Sequence, residues 1–195
     1  NGRLEANGTA VDLGGTPITV IGPLASLVLD PSTATVGVNT AQLFTVRGLD
    51  PQGHDLGDLT SSATFTISGT GGSCTANSCR ANSVGVRTVT ATVGGVTGTA
   101  TLDVRQRQTI SFTAISTKTM LQSPVPAVAT ATSTLSVTFT STTPAVCTAG
   151  GTNGATITLV AAGSCSVQAT QAGDATWAPA VPVTRTFTVN RANQT

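Results

Sequence analysis

Charge is the scarcest property of this chain. Only 9% of its 195 residues are Asp, Glu, Lys or Arg, against about 25% in ordinary soluble proteins. Tyrosine is absent, and there is one histidine and one tryptophan. Lys118 is the single lysine and Glu5 the single glutamate. Each shortage removes a class of function. Nucleic-acid binding needs clustered Lys and Arg, and here only Arg105 and Arg107 lie close together. Acid–base catalysis needs paired carboxylates, or a nucleophile with a base and an orienting acid. One His and one Glu supply neither, so the chain is not expected to be an enzyme and no catalytic residue is expected. No run approaches the ~18 continuous apolar residues of a membrane span, so no membrane insertion is expected. A signal-peptide pattern is missing too, so an export leader would have been removed or would lie outside these residues. Helical periodicity is the last absence: apolar residues do not recur every three to four positions.

What is present points one way. Thr makes up about a fifth of the chain, 39% of residues are hydrophobic and the net charge is +1. That hydrophobic content with so little net charge is the opposite of a disordered composition. Apolar residues alternate over short runs, the mark of half-buried strands. Examples are "LFTVRG" (Phe44, Val46), "ATFTIS" (Phe65, Ile67), "RTVTATV" (Val89, Ala91, Val93) and "GTATLDV" (Ala100, Leu102, Val104). The second half continues with "TISF" (Ile110, Phe112), "TLSVTFT" (Leu135, Val137, Phe139), "ATITLV" (Ile157, Leu159), "CSVQAT" and "RTFTV" (Phe187, Val189). Turn signals at "DPQG", "VGGV", "GGTNG" and "QAGDA" separate them. Short strands punctuated every ~8–12 residues predict an all-β fold: two immunoglobulin-like antiparallel β-sandwiches in tandem. The first is expected over residues 25–104 and the second over 108–190, joined by a short polar linker at 105–107. Phe44, Val46, Phe65, Ile67, Val89, Ala91, Leu102 and Val104 are expected to line the first core, and Phe112, Leu135, Val137, Phe139, Ile157, Leu159, Val167 and Phe187 the second.

Residues 1–24 read as a separate β segment, with turn signals at Asn7-Gly8 and Gly14-Gly15. So short a piece cannot bury a core alone. It is expected to be the end of a preceding domain or an assembly strand. "VNRANQT" at 189–195 echoes "VRQRQTI" at 104–110, and self-similarity marks arrays. Residues 191–195 are therefore expected to begin a next repeat or form a tail.

The candidate sites are few. Cys74 and Cys79 are close in sequence, as are Cys147 and Cys165. Local even pairing predicts disulfides Cys74–Cys79 and Cys147–Cys165 in an oxidising compartment; neither pair has the CxxC spacing of a zinc knuckle. His54 sits beside Asp55 in "DPQGHDLGD", which reads as a hairpin loop with a solvated His. Asp50, Asp55 and Asp58 could offer oxygens to calcium, but turn-forming Asp explains the same letters. No metal and no cofactor are expected. Trp177 could stack on a sugar, though a lone aromatic is a poor platform; packing on Pro179 at the sandwich edge is the plainer reading. Lys118 could form an isopeptide bond with an Asn, but "STKTM" reads as a loop. The Thr-rich faces could carry O-linked glycans, or be polar strand faces where Thr is a good β-former. The ligand-binding residues are unknown from sequence.

Residues 24–104 resemble a bacterial immunoglobulin-like repeat of large surface proteins. The resemblance runs from "LVLDPSTATVGVNTAQLFTVRGLDPQGHDLGDLTSSATFTIS" through the small Cys loop to "VGVRTVTATVGGVTGTATLDV". Residues 108–190 resemble a second type of such repeat through "QTISF", "STLSVTFTSTTPAVCT", "TLVAAGSCSVQATQAGDATWAPA" and "TRTFTV". In that type the two Cys are similar in placement to a family disulfide, Trp177 stands where Tyr is more usual, and "RxxQTI" typically opens the next unit. The resemblance is to tandem Big-type repeats of secreted or cell-surface adhesins and fibres. It implies a non-catalytic structural module: a disulfide-locked extracellular spacer of an adhesin, fibre or filament, able to assemble by β-strand addition. The partners it implies are neighbouring domains or subunits of the same protein, with glycans or a host cell surface as further candidates. The alternative is a carbohydrate-binding accessory module of a secreted multidomain protein.

Overall fold

The computed structural model describes residues 9–11, 17–19 and 21–192. Two short strands come first, β1 (Thr9–Val11) and β2 (Pro17–Thr19), paired antiparallel with Ala10 opposite Ile18. The expected Asn7-Gly8 and Gly14-Gly15 turns lie outside the described residues. The chain then divides into two compact units, Asn1–Arg105 and Gln106–Thr195.

The first unit continues with β3 (Ser26–Asp30), β4 (Thr33–Gly37), β5 (Gln42–Leu43), β6 (Thr45–Leu49) and β7 (Asp55–Asp58). It closes with β8 (Thr64–Ile67), β9 (Gly72–Thr75), β10 (Ser78–Ala81), β11 (Gly85–Val93) and β12 (Val96–Arg105). β5 and β6 form one interrupted strand. It pairs with β3 along one side, and with β10 and β7 along the other, while β10 also carries β9. The opposing sheet has the order β4-β12-β11-β8.

The second unit repeats the plan. Its strands are β13 (Ile110–Phe112), β14 (Lys118–Thr119), β15 (Val125–Pro126), β16 (Ala129–Ala131), β17 (Thr138–Ser141), β18 (Cys147–Gly150), β19 (Thr156–Leu159), β20 (Gly163–Thr170) and β21 (Val183–Asn190). One layer holds β13-β16 with β15-β19-β18, the other β14-β21-β20-β17. In both units the first strand leaves one sheet and rejoins the other beside the last strand. Two facing sheets with this four-plus-three core order are the immunoglobulin-like sandwich. The pairing is antiparallel except at that rejoining: β4 runs parallel to β12, and β14 parallel to β21. Lys118, expected in a loop, opens the short β14.

Local chemistry explains the strands. β11 and β12 alternate Thr with Val, Ala and Leu, which suits a half-buried pleat. Their hairpin closes at Gly94-Gly95, both at positive φ (56° and 86°), the geometry of a type I′ turn. Gly98 is buried on β12 because the other sheet's backbone comes close: a Cβ there would stand 2.5 Å from the Leu27 carbonyl oxygen.

The pleat puts the cores where the alternation predicts, with three exceptions. Phe44, Val46, Val89, Ala91, Leu102 and Val104 are buried in the first unit, and Phe112, Val137, Phe139, Ile157, Leu159, Val167 and Phe187 in the second. Phe112 and Phe139 meet edge to face at 5.3 Å. Phe65, Ile67 and Leu135 are only half-buried. Phe65 and Ile67 sit on β8, the last strand of its sheet, so one flank of each is uncovered. Leu135 precedes the strand: β17 starts at Thr138 rather than within "TLSV".

Candidate functional site

Both disulfides are present: Cys74–Cys79, with Cα atoms 4.1 Å apart, and Cys147–Cys165, at 5.7 Å. They do different work. Cys74 and Cys79 lie directly opposite each other on β9 and β10, strands already joined by hydrogen bonds. Their hairpin turns at Ala76, a non-glycine residue at φ 49°, so the disulfide closes a turn that L-residues resist. Cys147 on β18 and Cys165 on β20 belong to opposite sheets, and both are fully buried. That disulfide ties the second sandwich through its core.

The Asp-rich loop does not gather into a cation site. Asp55 pairs with Arg47 and accepts the Gly57 N–H, while Asp58 accepts the Thr60 N–H. The Arg47 hydrogen bond lowers the Asp55 pKa, and the Thr60 bonds lower that of Asp58. Among the described residues no three metal-ligating side chains come together.

Asp50 is a different case: it forms the expected turn, but its burial and its bond to Gly22 were not foreseen. It is only 3% exposed. Its carboxylate accepts the N–H groups of Gln52 (2.9 Å), His54 (2.8 Å) and Gly22 (3.0 Å), and Nδ1 of His54 lies 2.9 Å from Oδ2. His54 is thus paired with Asp50, four residues back, rather than with adjacent Asp55. The "DPQG" letters signal the turn, but nothing local signals the bond to Gly22. Burial alone would raise the Asp50 pKa; the three backbone donors and His54 outweigh it and hold the carboxyl well below its usual range. A depressed folded pKa gives stability that is complete above the unfolded value, about 3.9, and is lost as pH falls through the folded one. Asp50→Asn should therefore lower the first unit's melting temperature at pH 7 and flatten its loss between pH 5 and pH 2. Calorimetry of both proteins across that range checks this; parallel curves would exclude Asp50 as a source of the acid sensitivity.

The second unit has a buried polar knot of its own. Gln108, 6% exposed, donates from Nε2 to Gln171 Oε1 (2.6 Å) and to the Ala178 carbonyl (2.8 Å), while Ser133 Oγ donates to its Oε1. The Gln106 N–H donates to the Thr176 carbonyl, and Gln106 is bridged to Trp177. Trp177 is half-buried, and its backbone N–H donates to Asp174 Oδ1. The main chain at Trp177 is thus held in its loop by two backbone contacts.

The outer face of the four-stranded sheet in each unit is a field of hydroxyls. In the first unit, cross-strand rows read Thr33-Thr101-Thr88, Thr99-Thr90-Thr66 and Thr97-Thr92-Thr64. In the second they read Thr186-Ser166, Thr184-Gln168-Thr140 and Thr170-Thr138. Two hollows open to solvent differ in their linings. One of about 440 Å³ is lined by Asp58, Thr60, Ser61, Ala63, Ala76 and Asn77, and one of about 170 Å³ lies around Ile115, Lys118 and Val128.

No family model matches the chain, and no curated protein matches it. Solved structures do. S-layer protein SbsC domains 4 and 5 align over 96% of this chain and 91% of that one, at 19% identity and TM-score 0.34. A C-terminal 282-residue fragment of intimin, solved in complex with the intimin-binding domain of the translocated intimin receptor, aligns over 87% and 64%, at 18% and 0.41. Drosophila N-cadherin EC1-4 aligns over 91% and 52%, at 11% and 0.33. At these scores the fold assignment rests on the strand pairing above.

Proposed function

We propose that this chain is a non-catalytic structural module of an extracellular assembly, a spacer segment of an adhesin, fibre or filament. The observation that carries the reading is that each of two sandwiches closes its own core and holds its own disulfide, the second tied sheet to sheet by Cys147–Cys165. Such locks persist outside the cytosol, which supports a secreted or cell-surface location. Outer faces covered with hydroxyls keep a chain with little charge in water. Its partners in this reading are neighbouring domains or subunits of the same protein, joined end to end or by strand addition at an exposed edge. The carbohydrate-binding alternative gains nothing from Trp177, which is half-buried, with its backbone hydrogen-bonded into its loop.

A spacer must resist extension. Pulled by its ends in a force microscope, the chain should give two separate unfolding events, one per sandwich. Reduction should lengthen the second by the 18-residue separation the Cys147–Cys165 bond hides. Smooth extension without resisting events would overturn the spacer reading. Retention on polysaccharide columns would replace it with the carbohydrate-binding one.

A further inference from the structure

We infer that the free edge of β8 is a homotypic docking edge, and that it pairs antiparallel with β8 of a second copy of this chain. The inference deepens the assembly part of the reading above and rests on it. Strand β8 (Thr64–Ile67) is the last strand of its sheet, paired only with β11 among the described residues. The Ser68 N–H donates to the Thr88 carbonyl at 2.9 Å. Antiparallel ladders alternate, so Thr64 and Thr66 also turn their N–H and C=O groups to β11. Those of Phe65 and Ile67 point away from the sheet.

The second unit holds the matching strand, and there the edge is covered. The Thr142 N–H donates to the Ser166 carbonyl, so the Phe139 carbonyl points outward from β17 by the same alternation. Gly154, in the single turn Thr152–Gly154, packs against that carbonyl so closely that a Cβ would overlap it. Phe139 is consequently 5% exposed, whereas Phe65, its counterpart on β8, is half-buried. The first unit cannot cover β8 this way, because its equivalent connection is the tight Ala76 turn of the disulfide hairpin. Two other outer strands carry guards that "TFTI" lacks: β7 holds Asp55 and Asp58, and β3 ends in Asp30-Pro31. Pro, charge and covering loops are the usual guards of an edge.

The strand is also self-complementary. A two-fold axis at Thr66 sets Phe65 opposite Ile67 of the second copy, and Ile67 opposite its Phe65. All four outward N–H and C=O groups on each strand then find partners. The half-buried side chains meet as aromatic–β-branched cross-strand pairs. Thr66 faces Thr66 of the second copy on the hydroxyl side, with no charge to oppose. The contact is small and so belongs to the weak class, which suits a link repeated along an array.

The test is sedimentation of the intact chain from about 0.01 to 1 mM, the range where so small an interface is read. The wild type should dimerise with rising concentration. Thr66→Lys, an exposed change that opposes two charges across the axis, should weaken the dimer at least tenfold with the melting temperature unchanged. Thr66→Glu should do the same, and an equimolar mixture of the two should restore dimers. Thr140→Lys, on the covered edge, should have no effect. A wild type that stays monomeric, a Thr66→Lys protein that dimerises normally, or a mixture that fails to restore pairing overturns the proposal. The force measurement on the single chain is untouched by any of these, so the spacer reading stands or falls separately.

Discussion

Replacing Phe139 with Ala should destabilise the second unit by about 3–5 kcal/mol, the range for deleting a buried aromatic. Phe139 is 5% exposed and packs edge to face on Phe112 at 5.3 Å, so truncation removes both its burial and a ring contact. The surroundings cannot readily collapse into the space, because the Cys147–Cys165 disulfide fixes the two sheets near it. Trp177 is the only tryptophan and lies in the second unit, so its fluorescence reports that unit alone. Urea titration followed at Trp177 should show the midpoint fall at unchanged slope. The same change at Phe65 should cost less, since one flank of that ring is open, and should leave the Trp177 transition where it was. A loss below about 1 kcal/mol at Phe139 would mean the pleat is misassigned, because a one-residue slip exchanges the two faces of a strand.

That contrast marks what the letters of the sequence can carry. Alternation is a property of each strand by itself, so it places Phe44, Val46, Val89, Leu102 and Phe139 on inward faces without any knowledge of neighbours. It does not say whether a strand is the last of its sheet, which is why Phe65 and Ile67 read like Phe139 and are buried less. Strands made of small residues broken by Pro are nearly silent. "VPAVATA" supplies β15 and β16 and the buried Val125, Ala127 and Ala131, yet it has no clean period. The parallel rejoining of β4 and β14 is equally quiet, because parallel pairing leaves no mark on residues this few. The cysteine partners were legible from local spacing. The burial of Asp50 and Gln108 was not: beside its local turn bonds Asp50 reaches distant Gly22, and the partners of Gln108, Gln171 and Ala178, are distant too, while a turn Asp or strand-leading Gln has the same letters when exposed.

The second large effect concerns the cysteines. Changing Cys147 and Cys165 together to Ala should cost the second unit about 3 kcal/mol from the released loop entropy, and the Cys74/Cys79 pair should cost the first about 2 kcal/mol. The difference in loop length, 18 against 5 residues, sets the order but understates it. β9 and β10 remain hydrogen-bonded through Ser78↔Thr75 and Arg80↔Ser73 after their disulfide is lost, so the register survives. β18 and β20 share no ladder, since they lie in opposite sheets. Their covalent tie runs through a site where both cysteines are fully buried, so its loss also leaves unfilled volume between the layers. Urea unfolding at Trp177 should move strongly for the Cys147/Cys165 variant and hardly at all for the Cys74/Cys79 variant, while calorimetry should show the reverse assignment for the first unit's transition. If the Cys74/Cys79 change shifted the Trp177 transition as far as the other pair does, the two sandwiches would be unfolding as one body, and a spacer built from independently locked units would have to be abandoned.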